Sequence, residues 1–367
     1  MPQPILGILT LYLNHQRMEE RSYFRKLIIA GRKLGLEVFV FTPEDVQAEK
    51  KRILAHCYDT AKQRWVRKWT AFPALIFDRC RFQATPRFKQ LKLFRAKYKN
   101  LTYLNRTLAN KWIIHQVLSK NSVIKPFLPE SWIFSNPEEL FTAMQRRKVW
   151  FLKPINGTGG RGILRIERSK EGMFLMQGRD EQRRIINPVR LTKSQLVVKL
   201  APWNMKGRYL LQQGIDLKLA NGRVHDYRLL IQRNGSGEWE VTGCAGRIGP
   251  DHSITSNLHG GGRAISMSRL LKAHFSSAEK IESIKKSAYK LAYDVVKELE
   301  EHYGRLCELA LDIAIDRAGD VWLLEVNPKP SREVFSQINE PGVYQKAISR
   351  PLEYALWLYK KRQKEEH

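Results

Sequence analysis

Lys153 closes the apolar stretch Trp150-Phe151-Leu152-Lys153, and a loop from Asn156 to Gly162 with four glycines in seven residues follows it. Glycine has no Cβ, so backbone N–H groups can close around an anion while a lysine just upstream reaches the same phosphate chain. An apolar stretch leads away through Ile163, Leu164 and Ile166 with no helical pattern behind the loop. That excludes a Walker A loop and a Rossmann turn, since both open a helix. Strand, glycine loop and strand predict a β-hairpin lid over a nucleotide, with a plain surface turn as the bland alternative.

A second set of groups stands near the C-terminus. Glu325-Val326-Asn327 ends an apolar stretch, and strand alternation puts Glu325 and Asn327 on one face with Val326 on the other. A five-residue turn from Asp316 to Asp320 would bring Asp312 near the position opposite them. Three oxygen donors converging on a hairpin suit Mg²⁺, which takes carboxylate and amide oxygens and keeps positions for phosphate and water. A lone Glu-x-Asn is more often a surface pair; an apolar strand before it, an opposing Asp and the following Pro328 favour the metal.

The elements that must position these groups fit a chain of 367 residues, too long for one small core. Hydrophobic residues at 43% and charged residues at 27% are ordinary globular composition. The first apolar run, Ile5 to Leu13, has no basic region ahead of it and reads as a buried strand, not a signal peptide. No window reaches the length of a membrane span, so the expectation is a soluble cytoplasmic protein. Cys57, Cys80, Cys244 and Cys307 are scattered and predict reduced, packed thiols. The net charge is +28, and the segment Lys50 to Lys111 holds 17 basic and 2 acidic residues. Such a field attracts acidic polymers, acidic proteins or nucleic acid, or simply keeps a face solvated.

Ile5–Leu11, a helix over Met18–Leu34 ended by Gly35, and a strand over Glu37–Phe41 predict a small open α/β domain at the N-terminus. Ala74–Phe77 adds a strand, and the basic segment up to Leu104 reads as a covering face, not core. Asn105–Lys120 predicts a helix capped by Asn105 or Thr107, with Leu108, Trp112, Ile113 and Val117 on its inner side. Strands are expected at Trp132–Phe134, Leu196–Lys199 and Tyr209–Gln213, and hairpins at Tyr227–Gln232/Trp239–Ala245 and Leu309–Ile315/Val321–Val326. A long amphipathic helix spans Ser277 to Tyr303, and the charged end from Tyr359 reads as a fraying tail.

Taken in order, the motifs resemble the ATP-grasp superfamily, in particular its glutathione-synthetase-like branch. They are Lys111 ahead of Pro129-Glu130-Ser131, Phe151-Leu152-Lys153-Pro154 with its glycine loop, and Gln212-Gln213-Gly214-Ile215. Asp226-Tyr227-Arg228, Arg247-Ile248, Asn257-Leu258-His259-Gly260-Gly261-Gly262-Arg263, Leu311-Asp312-Ile313 and Glu325-Val326-Asn327 complete them. More narrowly, with Phe77-Asp78-Arg79 in the N-terminal part, the chain is similar to the endospore coat-associated YheC/YheD family.

The resemblance implies an α/β (α+β grasp) architecture. An N-terminal α/β domain over residues 1–104 would precede a central and lid subdomain over 105–211. A metal-bearing subdomain over 212–350 and a charged tail over 351–367 would follow. It implies that Lys111 and Lys153 hold the α- and β-phosphates of ATP under a lid of Gly157, Thr158, Gly159, Gly160 and Gly162. Gln212, Gln213 and Ile215 would read the adenine edge, and Asp216 or Asp226 would bind the ribose. Asp312, Glu325 and Asn327 would hold two Mg²⁺ ions, with Mn²⁺ as a substitute. Arg228, Arg247 and Arg263 would clamp the acceptor carboxylate and the transferring phosphoryl group, since guanidinium pairs oxyanions bidentately. Gly261 and Gly262, with Gly260, would offer backbone N–H groups to a tetrahedral intermediate.

The implied reaction activates a carboxylate as an acylphosphate for attack by an amine or, less favourably, a thiol. Positioning and electrostatics carry such phosphoryl transfer, so no nucleophilic Ser or Cys is required. Substrates would be small-molecule or peptide acids and amines, and the basic block could recruit an acidic polymer or spore coat proteins. Two other readings are a non-catalytic ATP-binding coat scaffold and a nucleic-acid binder stacking bases on Trp65, Trp69, Phe82, Phe88, Phe94 and Tyr98. His225 and His259 lie near the motifs and read as packed or solvated side chains.

Overall fold

The computed structural model describes residues 3–13, 17–83, 85–157, 160–251, 253–256, 258 and 261–365. Three sheets organise it.

The N-terminal sheet contains β1 (Ile5–Leu9), β2 (Glu37–Phe41), β3 (Val46–Gln47), β4 (Arg52–Asp59), β5 (Arg64–Ala71), β6 (Leu75–Asp78) and β7 (Thr102–Tyr103). Its order is β3-β4-β2-β1-β6-β7, with β5 paired to β4. β1 runs parallel to β2 and β6, and its near-continuous apolar sequence is what a strand covered on both faces needs. Helix α1 (Arg21–Lys33) lays Phe24, Leu27 and Ile28 on one face of this sheet. It ends at Gly35, whose φ of 74° is the left-handed conformation that glycine adopts without penalty. Helix α2 (Pro86–Lys97) inserts Leu91 and Phe94 on the other face.

The second sheet, entirely antiparallel, has the order β12-β11-β10-β9-β13-β8. Between α3 (Lys111–Lys120) and its last strand come β8 (Ser131–Ile133), α4 (Pro137–Arg146), β9 (Val149–Pro154), β10 (Leu164–Arg168), β11 (Phe174–Arg179), β12 (Ile185–Leu191), α5 (Lys193–Leu200) and β13 (Tyr209–Gln213). One face packs Trp150, Leu152, Leu164 and Met176 against Leu140 and Met144 of α4 and Leu196 of α5. The other face carries Phe151, Lys153 and Gln212.

The third sheet, β16-β15-β14-β17-β18, contains β14 (His225–Arg233), β15 (Trp239–Ile248), β16 (Arg263–Ser266), β17 (Glu308–Ile315) and β18 (Val321–Asn327). Helices α6 (Met267–Lys272) and α7 (Ala278–Tyr303) bury Leu270, Ile284, Leu291 and Val295 against Tyr227, Leu229, Leu311 and Ile313. On the opposite face Leu230, Ala245 and Ala310 meet Val334, Phe335 and Ala347. Ala347 belongs to the last helix, α8 (Val343–Glu365). No helix among the described residues is long and apolar enough to cross a membrane.

Several elements depart from the sequence expectations. Residues 193–200 form a helix, not a strand, because Thr192 and Gln195 make a reciprocal capping box at its start. Helix α3 starts at Lys111, capped by Asn110, so Ile114 faces the core and Ile113 faces solvent. By packing, α3 belongs with α7 and the third sheet, since Ile114, Val117 and Leu118 join that core. The basic segment is not only a covering face: Ile53, Ala55 and Tyr58 of β4 and Leu91 of α2 are buried. Residues 351–365 continue α8 without a break, and Leu352, Ala355 and Leu358 pack against α1, so this end is core-forming helix rather than tail.

Candidate functional site

The antiparallel register of the third sheet assembles the charged groups. Asp226 pairs with Arg247 across β14 and β15, Arg228 with Asp312 across β14 and β17, and Asp312 with Glu325 across β17 and β18. Directly opposed residues share a face, so these side chains stand together. Arg228 grips Asp312 bidentately at 2.8 Å through Nε and 2.8 Å through Nη2. Arg247 grips Asp226 at 2.7 and 2.5 Å and lies 3.0 Å from Asp312. The two guanidiniums hold the Asp312 carboxyl far below the ordinary carboxylate range, outweighing its burial.

Glu325 is salt-bridged at 3.1 Å by Lys111, the first residue of α3. Lys153 arrives from the second sheet. Burial and the neighbouring Lys111 charge push its ammonium down to about 8, while Glu325, Asp226 and Asp312 pull the other way. Lys153 donates to Gln212 Oε1, whose amide donates in turn to Ser131 Oγ at 3.1 Å. Three carboxylates and four cations thus converge between two sheets, leaving one excess positive charge to meet an anion.

Asn327 shares the Glu325 face of β18, and its side-chain Nδ2 is buried with no hydrogen-bond partner among the described residues. An amide is symmetric enough that a half-turn presents its oxygen there instead. The described residues contain no group of three His, Cys, Asp or Glu side chains that could hold a metal. Asp312, Glu325 and Asn327 therefore form a sparse, all-oxygen donor set. It fits an ion that takes its remaining ligands from phosphate and water, as Mg²⁺ does.

Other expected site residues are placed as follows. Gln213 is buried beside Gln212, and its Oε1 accepts from the Glu130 backbone N–H at 3.2 Å. Ile215 follows β13 and is half-buried, while Asp216 is exposed and paired with Arg317 at 3.2 Å, away from the cluster. Of the two ribose candidates, Asp226 is the one inside it. Gly157 and Gly160 lie on the stretch between β9 and β10, and Gly162 there has φ 65° and donates to the Asp180 carbonyl at 3.1 Å. Thr158, Gly159, Gly260, Asn257 and His259 lie outside the described residues. Gly261 has φ 103°, Gly262 donates to the Leu258 carbonyl at 3.1 Å, and Arg263 is exposed at the start of edge strand β16. His225 is buried, bonded to the Leu217 carbonyl and stacked on His274 at 4.7 Å; burial pushes it down to about 4, which marks a neutral packed ring.

Two contributors were not anticipated. Ser131 fixes Gln212, and Arg179 on β11 is buried on the Lys153 face. Alternation along Phe174–Arg179 carried the second signal, but only once the strand register was known.

A family model described as YheC/D like ATP-grasp matches residues 100–358. The endospore coat-associated protein YheC of Bacillus subtilis (strain 168) is 28% identical over 359 residues, covering 95% of each chain. Among solved structures, the D-cycloserine synthetase DcsG superposes with a TM-score of 0.57 at 13% identity over 97% of this chain and 99% of its own. The D-alanine-D-alanine ligase from Coxiella burnetii superposes with a TM-score of 0.53 at 12% identity over 99% of both chains. Those two likenesses establish the ATP-grasp fold, and the model match extends over most of the sequence. The chain belongs to the YheC/D-like ATP-grasp family.

Proposed function

We propose that the chain is an ATP- and Mg²⁺-dependent ligase that activates a carboxylate as an acylphosphate for attack by an amine, or less favourably a thiol. One observation carries the reading. A row of acids and arginines crosses the third sheet (Arg247, Asp226, Arg228, Asp312, Glu325) and faces two lysines, Lys111 and Lys153, on separate elements. A protein that only scaffolds has no use for so costly a collection of half-buried charges.

In this reading Lys111 and Lys153 hold the α- and β-phosphates, with the lid from Gly157 to Gly162 above them. Gln212, Gln213 and Ile215 line the adenine edge, and Asp226 is the better-placed ribose acid. Asp312, Glu325 and Asn327 would hold one or two Mg²⁺ ions, or Mn²⁺, which neutralise phosphate charge. Arg228 and Arg247 are oriented by Asp312 and Asp226, so each guanidinium is fixed before substrate arrives and no reorganisation opposes transfer. Arg263, Gly261 and Gly262 would meet the acceptor end. A divalent ion held by Glu325 would leave Lys111, its present partner, free for phosphate.

The resemblance to endospore coat-associated relatives suggests a coat-associated role, and exposed Lys50, Lys62, Lys68, Lys89 and Lys92 suit an acidic partner. The decisive experiment incubates the protein with Mg-ATP, a panel of acids and hydroxylamine. Acid-dependent ADP release with hydroxamate formation is expected. AMP and pyrophosphate as products, or no ATP binding by folded protein, would refute the reading.

A further inference from the structure

Cross-strand neighbours place Arg179 on the nucleotide-facing side of the second sheet. Leu210 lies opposite Lys153, Leu164 opposite Leu152, and Leu164 opposite Gly178. One residue further, Ile163 falls opposite Lys153 and Arg179 opposite Ile163, whose carbonyl accepts the Arg179 N–H at 2.8 Å. Arg179 therefore points to the same side as Lys153, two strands farther from β13, where the Gln212-Gln213 hinge lies. At about 4.8 Å per strand the separation is roughly 10 Å.

Arg179 is 7% exposed, yet among the described residues its guanidinium makes only a long 3.4 Å contact to Ser253 Oγ, from the loop that follows Arg247. Two more arginines are brought close by the backbone, since the N–H groups of Gly162 and Arg183 both donate to the carbonyl of Asp180, at 3.1 and 3.0 Å. Arg161 comes from the lid loop, and Arg183 from the β11–β12 turn, where it adopts φ 68° and keeps a buried, unpartnered Nε. A non-glycine residue held in left-handed backbone is a strained feature worth a functional question. Burial, and after it the charges of Arg161 and Arg179, lower the basicity of Arg183.

Nearby carboxylates are committed elsewhere. Asp180 pairs with Arg184 at 2.6 Å, and Glu181 accepts from Tyr209 at 2.9 Å. Among the described residues no carboxylate forms an ion pair with Arg161, Arg179 or Arg183. Three like charges gathered without a counter-charge call for an anion from outside.

We propose that Arg161, Arg179, Arg183 and Ser253 form an anion subsite for a second acidic group of the substrate, a phosphate or carboxylate distinct from the carboxylate being activated. The position fits, since adenine lies at β13, the phosphates at Lys153 on β9, and β11 continues beyond them toward the acceptor. This rests on the ligase reading and narrows it to acids bearing a further anionic group.

The test uses calorimetry on the full chain. Inorganic phosphate and acetate are titrated separately, with and without saturating Mg·AMP-PNP. With the nucleotide site filled, saturable one-to-one binding of at least one ion is expected, weakened at least tenfold by R179Q and by R161Q and unchanged by K170Q on the exposed β10–β11 turn. Arg161 is exposed, so R161Q tests the subsite even if R179Q unfolds. Tighter phosphate assigns a phosphorylated acid, and tighter acetate assigns a dicarboxylate. Absence of saturable binding, or binding undiminished in both arginine variants, would overturn the subsite. Failure of AMP-PNP alone to bind would instead refute the ligase reading, and the nucleotide-free titration would still judge the arginines.

Discussion

Nucleotide binding should draw a proton onto Lys153. In the free protein its ammonium titrates at about 8, chiefly because burial and the Lys111 charge disfavour the cation. A polyphosphate beside it supplies the missing counter-charge and restores the ordinary lysine value of about 10.4. At pH 8 the free lysine is about half protonated and the bound one fully so. Binding then takes up about half a proton, about 0.9 at pH 9 and about 0.1 at pH 7. Phosphate groups themselves titrate near 6, so at pH 8–9 they add little. Linkage fixes the sign: affinity for nucleotide falls as pH rises through 8, by about tenfold between fully protonated enzyme and pH 9. Calorimetry of Mg·AMP-PNP binding in buffers of different ionisation enthalpy reads the proton count directly. K153M should bind weakly and take up no proton in this range. Equal heats in all buffers at pH 8.5, with tight binding, would show that Lys153 does not face the phosphates. In the nucleotide-free protein the depressed lysine also makes stability rise with pH between about 8 and 10.4, because the unfolded chain holds the proton more tightly there.

Further outcomes separate chemistry from architecture. Glu325→Ala should abolish ADP release while shifting stability by about 1 kcal/mol or less, since its pair with Lys111 is part-exposed, and thermal melting beside turnover would check both. Glu308→Ala should cost about 3–5 kcal/mol in urea unfolding, because it strips a fully buried carboxylate from Arg79, Arg332 and Gln232. Leu358→Asp should unfold the N-terminal core, which limited proteolysis would reveal; a merely solvated tail would tolerate it. Charge reversal at exposed Lys89, Lys92 and Lys97 should weaken binding to polyglutamate at low salt and not at high salt, whereas reversal at Arg95 should destabilise the protein by breaking its bond to buried Asp78.

Strands were legible in the sequence where their apolar patterns are strong. Glu37–Phe41 and Tyr209–Gln213 fall where apolar runs end at polar turns, and Asp312 stands opposite Glu325 as the turn length implied. The 26-residue α7 announces itself by periodicity and its Ser277 cap. Hairpin β4–β5 was hidden because β5 is an exposed edge strand whose Arg and Lys side chains mask the alternation of Ile53 and Ala55 on its partner. Helix α5 was misread because Leu196-Val197-Val198 looks like a short strand unless the Thr192–Gln195 box is weighed. The clustering of Arg161, Arg179 and Arg183 depends on register across three strands, which no local pattern encodes.

The N-terminal domain bears on the site through one junction. Asp78 and Arg79, at the end of β6, reach the segment immediately after Asn327: Asp78 holds Lys329 at 2.9 Å and Arg79 donates to the Pro330 carbonyl at 3.1 Å. Arg81 adds a bond to the Lys329 carbonyl at 3.0 Å. Arg79 also pairs with Glu308 at 2.8 Å, on the same strand as Asp312 and four residues before it. Both β17 and the exit of β18 are thus tied to the first sheet by buried ion pairs, which break only at a cost of several kcal/mol. The same few side chains thus fix the end of β6 against the strands on which Asp312, Glu325 and Asn327 are mounted.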